Sequence, residues 1–357
     1  MTANPDENAL LLGIDLGTAR TALASSRQVR AMMASVVGYP KDIIGVKILN
    51  QTRVIGAEAI EKRSFLDLCH PLGEGVLKEA SERDLEAAHD LLEHLVAQAG
   101  PRAGEGICGI IGVPARATAA NKGALLAIAA RFMDIAMVVS EPFLVAYGLE
   151  RLHDAIVIDL GAGTIDLCAM RGTLPGPESQ VSILKGGDYI DARLEEAIRD
   201  ACPGVAIDRY LTRAIKEQHA FVGEPDRQAL VTLRVHGRPM ELDVTDAVRF
   251  ACETILMDIV EQIKRMLPLF APESQPVALA NLVLAGGGSR IRGLGPALEE
   301  ALGDYGQARA WTVPDPDFAG AEGALKLAME LPPDYWDQVG AKIVGNPSPG
   351  AVMRSRT

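Results

Sequence analysis

The 357-residue sequence contains few aromatic residues, which make up 4% of it, and it carries a formal net charge of −12 at pH 7. Few aromatic rings leave little surface on which nucleic-acid bases can stack, and net negative charge repels a phosphate backbone. We therefore expect no nucleic-acid partner. The same charge disfavours long-range attraction to an anionic membrane.

Paired cysteines and long apolar runs are also missing. The cysteines are odd in number and form no C-x-x-C motif, which is typical of small buried residues in a reducing cytosol. No apolar run approaches about 18 residues, and the polar amino terminus does not fit a signal peptide. We predict a cytoplasmic protein without direct insertion into a membrane. The cysteines are Cys69, Cys108, Cys168, Cys202 and Cys252.

The sequence does contain one short motif twice. Ile14-Asp15-Leu16-Gly17 recurs unchanged as Ile158-Asp159-Leu160-Gly161, and each copy lies between an apolar run and a turn rich in Gly and Thr. The copies lie about one domain length apart, and the chain is long enough for two domains. We therefore predict two halves that face each other across a cleft.

Each copy of the motif suits the binding of a polyphosphate and a metal ion. A strand that ends in Asp and turns through Gly and Thr presents consecutive backbone N–H groups, which form a concave anion site. Mg²⁺ keeps much of its hydration shell and is usually bound by one or two carboxylates together with substrate phosphates. One such turn is common without any ligand, but two copies at domain spacing favour Mg²⁺ held through water by Asp15 and Asp159.

Hydrophobic periodicity predicts alternating strands and helices, and therefore mainly parallel sheets. Alternation over Ala229–Val244, with Gly237 at a turn, predicts a hairpin, and one long helix follows from Thr245 or Asp246 to Pro268. The predicted strands are Leu10–Ile14, Thr21–Ala24, Ile107–Val113, Ala136–Val139, Ala155–Ile158, Ile165–Met170 and Leu282–Ala285. The other predicted elements are helices at Ser81–Gln98, Ala115–Phe132, Ile190–Ala201, Ala206–Phe221 and Gly320–Glu330, and a frayed tail at Ile343–Thr357.

A glycine loop, Gly286-Gly287-Gly288-Ser289, follows one of these strands and precedes a helix that starts near Ile291. Such a run is often only a flexible turn. Here it would let the backbone approach a nucleoside, while the amino terminus of the helix offers positive potential to a phosphate. The sequence has no G-x-x-x-x-G-K-[ST] motif, which excludes a P-loop. Arg290 and Arg292 are predicted to be surface charges, with a nucleotide contact as the alternative.

The repeated motif and the glycine loop resemble signatures of the superfamily that contains actin, the Hsp70 ATPase domain and sugar kinases. All five signatures of that superfamily have counterparts here. They are Gly13–Thr18 and Asp159–Thr164 for the phosphate loops, Glu141–Gly148 and Gly320–Ala324 for the connecting helices, and Leu284–Gly293 for adenosine. Many members have glycine where this chain has Ala162, and a positive φ there would cost about 1 kcal/mol or more.

Within the superfamily the chain is similar to bacterial actin-like filament proteins, in particular the magnetosome actins. That likeness runs from about Leu10 to about Gly340 and includes Ala162, so we expect a tolerated loop. His70–Leu77 resembles the segment that leaves the small first subdomain of the cell-shape actins. Segments similar to the magnetosome actins are Val36–Asp42, Val113–Ala117, Gly172–Glu178 and Leu331–Trp336.

The resemblance implies an α/β, actin-like two-domain fold. Duplicated ribonuclease-H-like sheets would flank a nucleotide cleft, and each domain would carry a smaller inserted subdomain. Domain I would comprise residues 10–148, with an insert at about 39–75, and would be completed by a segment at about 328–342. Domain II would comprise residues 149–327, with an insert at about 188–250. Residues 343–357 would form a flexible tail.

The resemblance also assigns roles to residues. Asp15 and Asp159 would hold hydrated Mg²⁺ and form the catalytic group with Glu141, which would orient or deprotonate the water that attacks the γ-phosphate. The alternative for Glu141 is a helix-start carboxylate favoured by the macrodipole. Lys216 and Glu217, which resemble the helix residues that contact adenine and ribose in actin, could equally be a solvated pair. Residues expected to bind ATP or ADP are Gly17, Thr18, Ala19, Gly161, Ala162, Gly163, Thr164, Lys216, Glu217, Gly286, Gly287, Gly288 and Ser289, with the hydroxyls of Thr18 and Thr164 as extra donors.

The implied function is ATP hydrolysis coupled to polymerisation into dynamic cytoplasmic filaments that align and position magnetosomes. The implied partners are further copies of the chain and magnetosome-associated adaptor proteins. Alternatives are a cell-shape or plasmid-partition actin and, in other classes, a sugar or acid kinase or an Hsp70-like chaperone ATPase. We favour a filament protein, because no separate sugar-binding segment is evident and only a short stretch follows Tyr335-Trp336 where a chaperone would need a substrate domain.

Overall fold

The computed structural model describes residues 9–78, 81–332 and 341–344. The chain divides into two compact units: unit 1 comprises residues 1–151 and 317–357, and unit 2 comprises residues 152–316. The strands of unit 1 are β1 (Leu10–Leu16), β2 (Arg20–Ser25), β3 (Arg30–Ala34), β4 (Val37–Pro40), β5 (Val54–Ile55), β6 (Leu66–Cys69), β7 (Leu72–Gly73), β8 (Val76–Leu77), β9 (Ile107–Val113), β10 (Ile135–Ser140) and β19 (Ala341–Val344). Its helices are α1 (Ile43–Leu49), α2 (Ala57–Glu61), α3 (Glu82–Gln98), α4 (Ala119–Ala129), α5 (Glu141–Gly148) and α12 (Ala319–Glu330).

Unit 2 alternates strands and helices in the same way. Its strands are β11 (His153–Leu160), β12 (Ile165–Arg171), β13 (Gln180–Ile183), β14 (Val205–Ala206), β15 (Leu230–Val235), β16 (Arg238–Asp243), β17 (Leu282–Ala285) and β18 (Ala310–Thr312). Its helices are α6 (Gly187–Ala201), α7 (Arg209–His219), α8 (Thr245–Glu253), α9 (Leu256–Met266), α10 (Gln275–Leu279) and α11 (Leu294–Ala301).

The main sheet of unit 1 has the strand order β19-β10-β9-β1-β2-β3. Strands β10, β9 and β1 run parallel, whereas β2 and β3 continue from β1 as antiparallel strands. Almost every residue of β9 and β10 is buried, as expected for parallel strands covered on both faces. Because these strands are parallel, their carboxyl ends meet at one edge, where Asp15 and Ser140 lie.

The main sheet of unit 2 has the strand order β13-β12-β11-β17-β18. Strand β11 is parallel to β17 and antiparallel to β12, so the second motif forms a hairpin beside a parallel strand. The first motif has the same surroundings in unit 1, where the β1–β2 hairpin lies beside β9. The predicted duplication of one hairpin is therefore present in the fold.

Each unit also contains a smaller antiparallel sheet. In unit 1, β4 pairs with β5 and β6, and α1 and α2 connect these strands. In unit 2, β15 pairs with β14 and β16. His236 and Gly237 join β15 to β16 with φ values of 49° and 81°. Two consecutive positive φ angles characterise a type I′ hairpin turn, which confirms the hairpin predicted over Ala229–Val244.

The long helix predicted after this hairpin is two helices, α8 and α9. The break lies at residues 254 and 255, where the hydroxyl of Thr254 donates to the carbonyl of Ala251 over 2.5 Å. Such back-bonding competes with the helical hydrogen-bond ladder. Thr245 is also not the cap, because it is the first residue of α8 and its hydroxyl accepts a hydrogen bond from the N–H of Ala229 over 2.8 Å. The prediction of one uninterrupted helix was therefore wrong.

Two other helices begin later than predicted. Asp208 caps α7 by accepting from two backbone N–H groups, and Thr118 caps α4 in a capping box with Asn121. A side-chain oxygen that satisfies the first N–H groups fixes where a helix begins. The residues before these caps, including the start of the predicted helix Ala206–Phe221, are therefore not helical.

The carboxyl-terminal segment differs from the prediction as well. Ala341–Val344 pairs antiparallel with β10, so the frayed tail does not begin at residue 343. The closing segment of unit 1 begins at Asp317 instead of near 328, because α12 packs against α5 and the strands β1 and β9. Residues 345–357 and the Tyr335-Trp336 pair lie outside the described residues.

The cysteines are unpaired, as the sequence predicted. Cys69, Cys108, Cys168 and Cys252 are buried, Cys202 is partly buried, and all five are free thiols. Across the three described ranges, no helix is both long enough and apolar enough to cross a bilayer.

Helices α5 and α12 pack closely where two glycines meet. A Cβ built on Gly323 would overlap the carbonyl of Leu144, and one built on Gly148 would lie 3.0 Å from the Cα of Gly323. Side chains at these positions would force the two helices apart. This contact positions both α5, which begins with Glu141, and α12, whose start lies beside Asp15.

We expect Gly323→Ala to destabilise unit 1 by about 1–3 kcal/mol, because the added methyl overfills a packed contact. Gly123→Ala is the matched control: Gly123 lies within α4, and its Cβ would meet no described atom within 4 Å. That change should stabilise α4 by about 0.5–1 kcal/mol. Thermal unfolding monitored by circular dichroism tests both variants. Equal melting temperatures for the two would contradict the packing argument.

Candidate functional site

The first motif forms the end of β1 and the turn into β2. Ser35 stabilises this turn through two hydrogen bonds. Its hydroxyl donates to the carbonyl of Gly17 over 2.6 Å, and its N–H donates to the carbonyl of Ala19 over 2.9 Å. Ser35 is buried, and its hydroxyl lies 2.8 Å from that of Thr21. Sequence reasoning missed Ser35, because a single serine after a strand carries no recognisable pattern.

Thr18 contacts the segment that resembles the cell-shape actins. Its hydroxyl accepts a hydrogen bond from the N–H of Gly75 over 2.7 Å. Glu74 and Gly75 have φ values of 50° and 75° and form the tight turn between β7 and β8. An accepting hydroxyl can also donate its own proton, so this contact is compatible with the predicted phosphate contact.

Asp15 lies near the end of β1, opposite the start of α12. A Cβ added to Gly320 would come within 2.6 Å of an Asp15 carboxylate oxygen, so the backbone of Gly320 lies directly against this carboxylate. Burial, with a smaller contribution from the Asp317 carboxylate, raises the pKa of Asp15 to about 7. A buried carboxylate of this kind gains favourable interaction energy when a cation binds beside it.

Glu141 is the first residue of α5 and follows β10 directly. It is 8% exposed, and a Cβ on Gly112 of β9 would lie 3.1 Å from its Cγ. Gly112 pairs with Asp15 on β1 and with Val139 on β10. Neighbouring strands are about 4.8 Å apart, so Asp15 and Glu141 lie at the same sheet edge, separated by one strand. The structure therefore brings these two predicted residues and the Gly17–Ala19 turn together in unit 1.

The second motif forms the end of β11 and the turn into β12. The N–H of Gly161 donates to the carbonyl of Thr164 over 2.9 Å, which closes the turn. The first residues of α6 support it, because the N–H groups of Gly187 and Asp188 donate to the carbonyls of Gly161 and Ala162 over 3.0 and 2.8 Å. Sequence reasoning missed this support, although the Gly186-Gly187-Asp188 sequence at the start of α6 was an available signal.

Ala162 occupies the position at which many superfamily members have glycine. The non-glycine residues with positive φ do not include Ala162. Its methyl group therefore causes no left-handed strain. The expectation that this loop tolerates alanine is confirmed.

The hydroxyl of Thr164 is engaged within the hairpin. It donates to one carboxylate oxygen of Asp166 over 2.6 Å, and the hydroxyl of Ser182 donates to the other. Asp166 is the direct cross-strand partner of Asp159, so the two side chains lie on the same face of the sheet. Thr164 therefore orients Asp166, and its one hydroxyl proton is used in this bond. Sequence reasoning missed Asp166, although a charged residue inside an apolar strand was a signal.

The glycine loop lies directly against Asp159. Gly286 has a φ of 71°, and a Cβ there would overlap an Asp159 carboxylate oxygen. The N–H and the hydroxyl of Ser289 both donate to the carbonyl of Gly286, over 3.1 and 2.7 Å. The loop is therefore an ordered turn stabilised by its own hydrogen bonds. Asp159, which is 8% exposed, faces glycine backbone in unit 2 as Asp15 does in unit 1.

Lys216 extends from α7 toward the start of α6. Its ammonium group donates to the carbonyl of Gly187 over 2.8 Å and lies 2.8 Å from a carboxylate oxygen of Asp191. The Lys216 side chain is only 13% exposed, which contradicts the alternative of a solvated pair for this residue, whereas Glu217 is exposed. Burial raises the pKa of Asp191, and Lys216 opposes that rise. Lys216 thus joins α7 to the helix that supports the second turn.

Each half-site has the chemistry that a magnesium-bound polyphosphate requires. Each has a carboxylate against glycine backbone and a turn that provides backbone N–H groups, and a further carboxylate lies nearby: Glu141 in unit 1 and Asp166 in unit 2. Carboxylate oxygens and water are ligands that suit Mg²⁺, and backbone N–H groups suit phosphate. The residues present therefore fit both groups.

Comparison with known proteins identifies similar chains of almost equal length. A match to the MreB/Mbl protein family covers residues 9–331. The chain is 51% identical over 334 residues to the actin-like protein MamK of Paramagnetospirillum magneticum, and the alignment covers 94% of this chain and 96% of that protein. A solved MamK double helical filament has 50% identity and a TM-score of 0.90, and the match covers 91% of this chain and 100% of that one.

A second solved structure is a non-polymerising MamK mutant bound to AMPPNP. It is 50% identical, has a TM-score of 0.70, and covers 91% of this chain and 100% of its own. The agreement with these structures confirms the predicted α/β, actin-like two-domain fold. The family match spans most of the sequence, and relatives of about half-identical sequence align over nearly their whole length, so the chain belongs to the MreB/Mbl family of actin-like proteins.

Proposed function

We propose that this chain binds and hydrolyses ATP with Mg²⁺ and polymerises into cytoplasmic filaments. The observation that carries this proposal is the 50% identity to a MamK that forms a double helical filament, over 100% of that chain. Nucleotide binding is supported by the AMPPNP-bound relative and by the two hairpins, β1–β2 and β11–β12, that carry the repeated motif. A head-to-tail contact that does not close into a ring produces an open filament.

The proposed nucleotide-binding elements are the β1–β2 hairpin of unit 1 and the β11–β12 hairpin of unit 2. Asp15 in unit 1 and Asp159 in unit 2 would hold hydrated Mg²⁺, and the backbone of the Gly17–Ala19 and Gly161–Gly163 turns would contact the phosphates. ATP would favour the conformation that assembles, and hydrolysis would weaken the filament, because the nucleotide state biases which conformation is populated. The loop at Gly286–Ser289 would receive the nucleoside.

Glu141 is the proposed catalytic residue. It is buried at the same sheet edge as Asp15, where it can accept a proton from the attacking water and hold that water in line with the γ-phosphate. When bound, Mg²⁺ neutralises charge that develops on the phosphate oxygens. The backbone turns supply further hydrogen-bond donors, so most of the rate enhancement is positioning and electrostatic stabilisation.

The proposed cellular role is to align and position magnetosomes, with adaptor proteins joining filament and organelle. This role rests on the relatives named MamK, to which the chain is 51% identical over 94% of its length.

The main rival function is a sugar or acid kinase, in which a phosphoryl acceptor replaces water. Electron microscopy of the purified protein should show filaments with Mg-ATP and few with Mg-ADP, because only the triphosphate favours the assembling conformation. In a coupled assay, ATP turnover should stay unchanged across a panel of sugars and acids. Stimulation by one of these acceptors, without filaments in Mg-ATP, would contradict the proposal and support a kinase.

A further inference from the structure

Arg292 links two parts of unit 2 that the proposed function and the resemblance to actin, respectively, assign to the nucleoside. The first part is the glycine loop at Gly286–Ser289, and the second is α7, which carries Lys216 and Glu217. The side chain of Arg292 is 31% exposed, so it is a partly exposed charge that also makes contacts within unit 2. Its contacts are with the last residue of α7 and with the residues that follow it.

The backbone of Arg292 forms the first part of the link. Its N–H donates to the carbonyl of Ala220 over 3.2 Å, and its carbonyl accepts from the N–H of Val222 over 2.9 Å. These two bonds form a parallel bridge between Phe221 and Arg292. They do not depend on the side chain, so substitutions at position 292 should leave the chain folded.

The guanidinium group forms the second part of the link. It donates to the carbonyl of His219, the last residue of α7, over 3.3 Å, and it lies 3.3 Å from the carboxylate of Asp226. It also lies 5.9 Å from the centre of the Phe221 ring. The final carbonyls of a helix lack intrahelical partners and carry partial negative charge, so a cation there is favourable.

The other end of the link is rigid. Ser289 fastens the glycine loop onto Gly286 through two hydrogen bonds, and the hydroxyl of Thr312 donates to the carbonyl of Ser289 over 3.3 Å. Helix α7 is held one turn earlier, where Lys216 bonds the carbonyl of Gly187. Arg292 follows this ordered loop closely in the chain and its guanidinium bonds the end of α7, so it can set the spacing between the loop and the helix.

We infer that Arg292 is a positioning residue: it holds the carboxyl end of α7 against the glycine loop and thereby fixes the gap that receives the base and ribose of ATP. This inference rests on the proposed function. It assigns Arg292 no contact with the phosphates or with the attacking water, because its contacts lie with the residues around the end of α7.

The test is the steady-state ATPase kinetics of Arg292→Gln at a fixed protein concentration. We expect KM for ATP to rise about tenfold with kcat unchanged, the pattern produced when binding is lost equally from the ground state and the transition state. Arg292→Lys should give an intermediate KM, because it keeps the charge near Asp226 but loses the planar fork. The melting temperature, measured in parallel, reports whether each variant is folded.

Arg309→Gln is the matched control within unit 2. Arg309 also contacts one carboxylate, that of Glu299, and one backbone carbonyl, that of Ala308, but far along the chain from the glycine loop. Its KM and kcat should equal those of the parent. A lower kcat with unchanged KM in Arg292→Gln, or unchanged values of both, would overturn the positioning role. Absence of ATP turnover in the parent protein would instead refute the proposed function.

Discussion

Glu141→Ala should bind ATP and assemble into filaments, yet release phosphate about 10²–10⁴-fold more slowly, the usual cost of losing a general base. The physical reason is the position of Glu141, buried at the edge where β1, β9 and β10 end, with Asp15 separated from it by one strand. Filaments of this variant should disassemble slowly, because disassembly follows hydrolysis. Phosphate release and light scattering, followed together after addition of Mg-ATP, measure both effects.

Two control variants separate catalysis from helix stability. Glu141→Gln keeps the shape of the side chain and removes its basicity, so it should be as slow as Glu141→Ala. Glu82→Gln removes a carboxylate from the same first position of α3, where it is exposed and can act only on the helix macrodipole. This control should hydrolyse ATP normally. Normal phosphate release from Glu141→Gln would remove Glu141 from its proposed role.

Asp159→Ala should weaken Mg²⁺ binding, and the Mg²⁺ concentration needed for half-maximal ATP hydrolysis should rise about 10–100-fold, as for other outer-shell ligands. Asp159 is buried against Gly286, and the neighbouring carboxylate of Asp166 already accepts hydrogen bonds from Thr164 and Ser182. Asp159→Asn should have a similar effect, because it keeps the volume and removes the charge. A titration of ATPase activity with Mg²⁺ provides the measurement.

Asp246→Ala is a suitable comparison for this variant. Asp246 lies in unit 2, and its carboxylate side chain is 90% exposed on α8. Its removal lowers the net negative charge by the same amount, so it corrects for general electrostatic effects. If Asp159→Ala and Asp246→Ala required the same Mg²⁺ concentration as the parent, Asp159 would not be part of the metal site.

The sequence was sufficient to predict features that depend on local pattern. The hairpins of both motif copies were predicted from apolar runs flanking a turn, and the structure contains them as β1–β2 and β11–β12. The hairpin around Gly237 was equally clear, because alternation and a turn residue coincide. Asp15 and Glu141 are distant in sequence but lie at one sheet edge of unit 1, separated by one strand, because the carboxyl ends of parallel strands lie at the same edge.

Features that depend on tertiary contacts were not predictable from pattern. Ser35 acts on the first turn only because β3 returns beside β2, and no local signal marks it. The hydroxyl of Thr164 is directed to Asp166 by the hairpin register, which the sequence does not reveal. The division between α8 and α9 reflects side-chain bonding at Thr254, a small energy that hydrophobic periodicity does not record.

The pairing of β10 with β19 has a consequence for how the protein is made. Residues 135–138 acquire their edge partner only from residues 341–344, which are translated after the whole of unit 2. Unit 2, residues 152–316, is contiguous and can bury its own core while this partner is still inside the ribosome. The outer edge of β10 therefore stays without its final neighbour throughout synthesis of unit 2, a period in which an open strand is most prone to pair with another nascent chain.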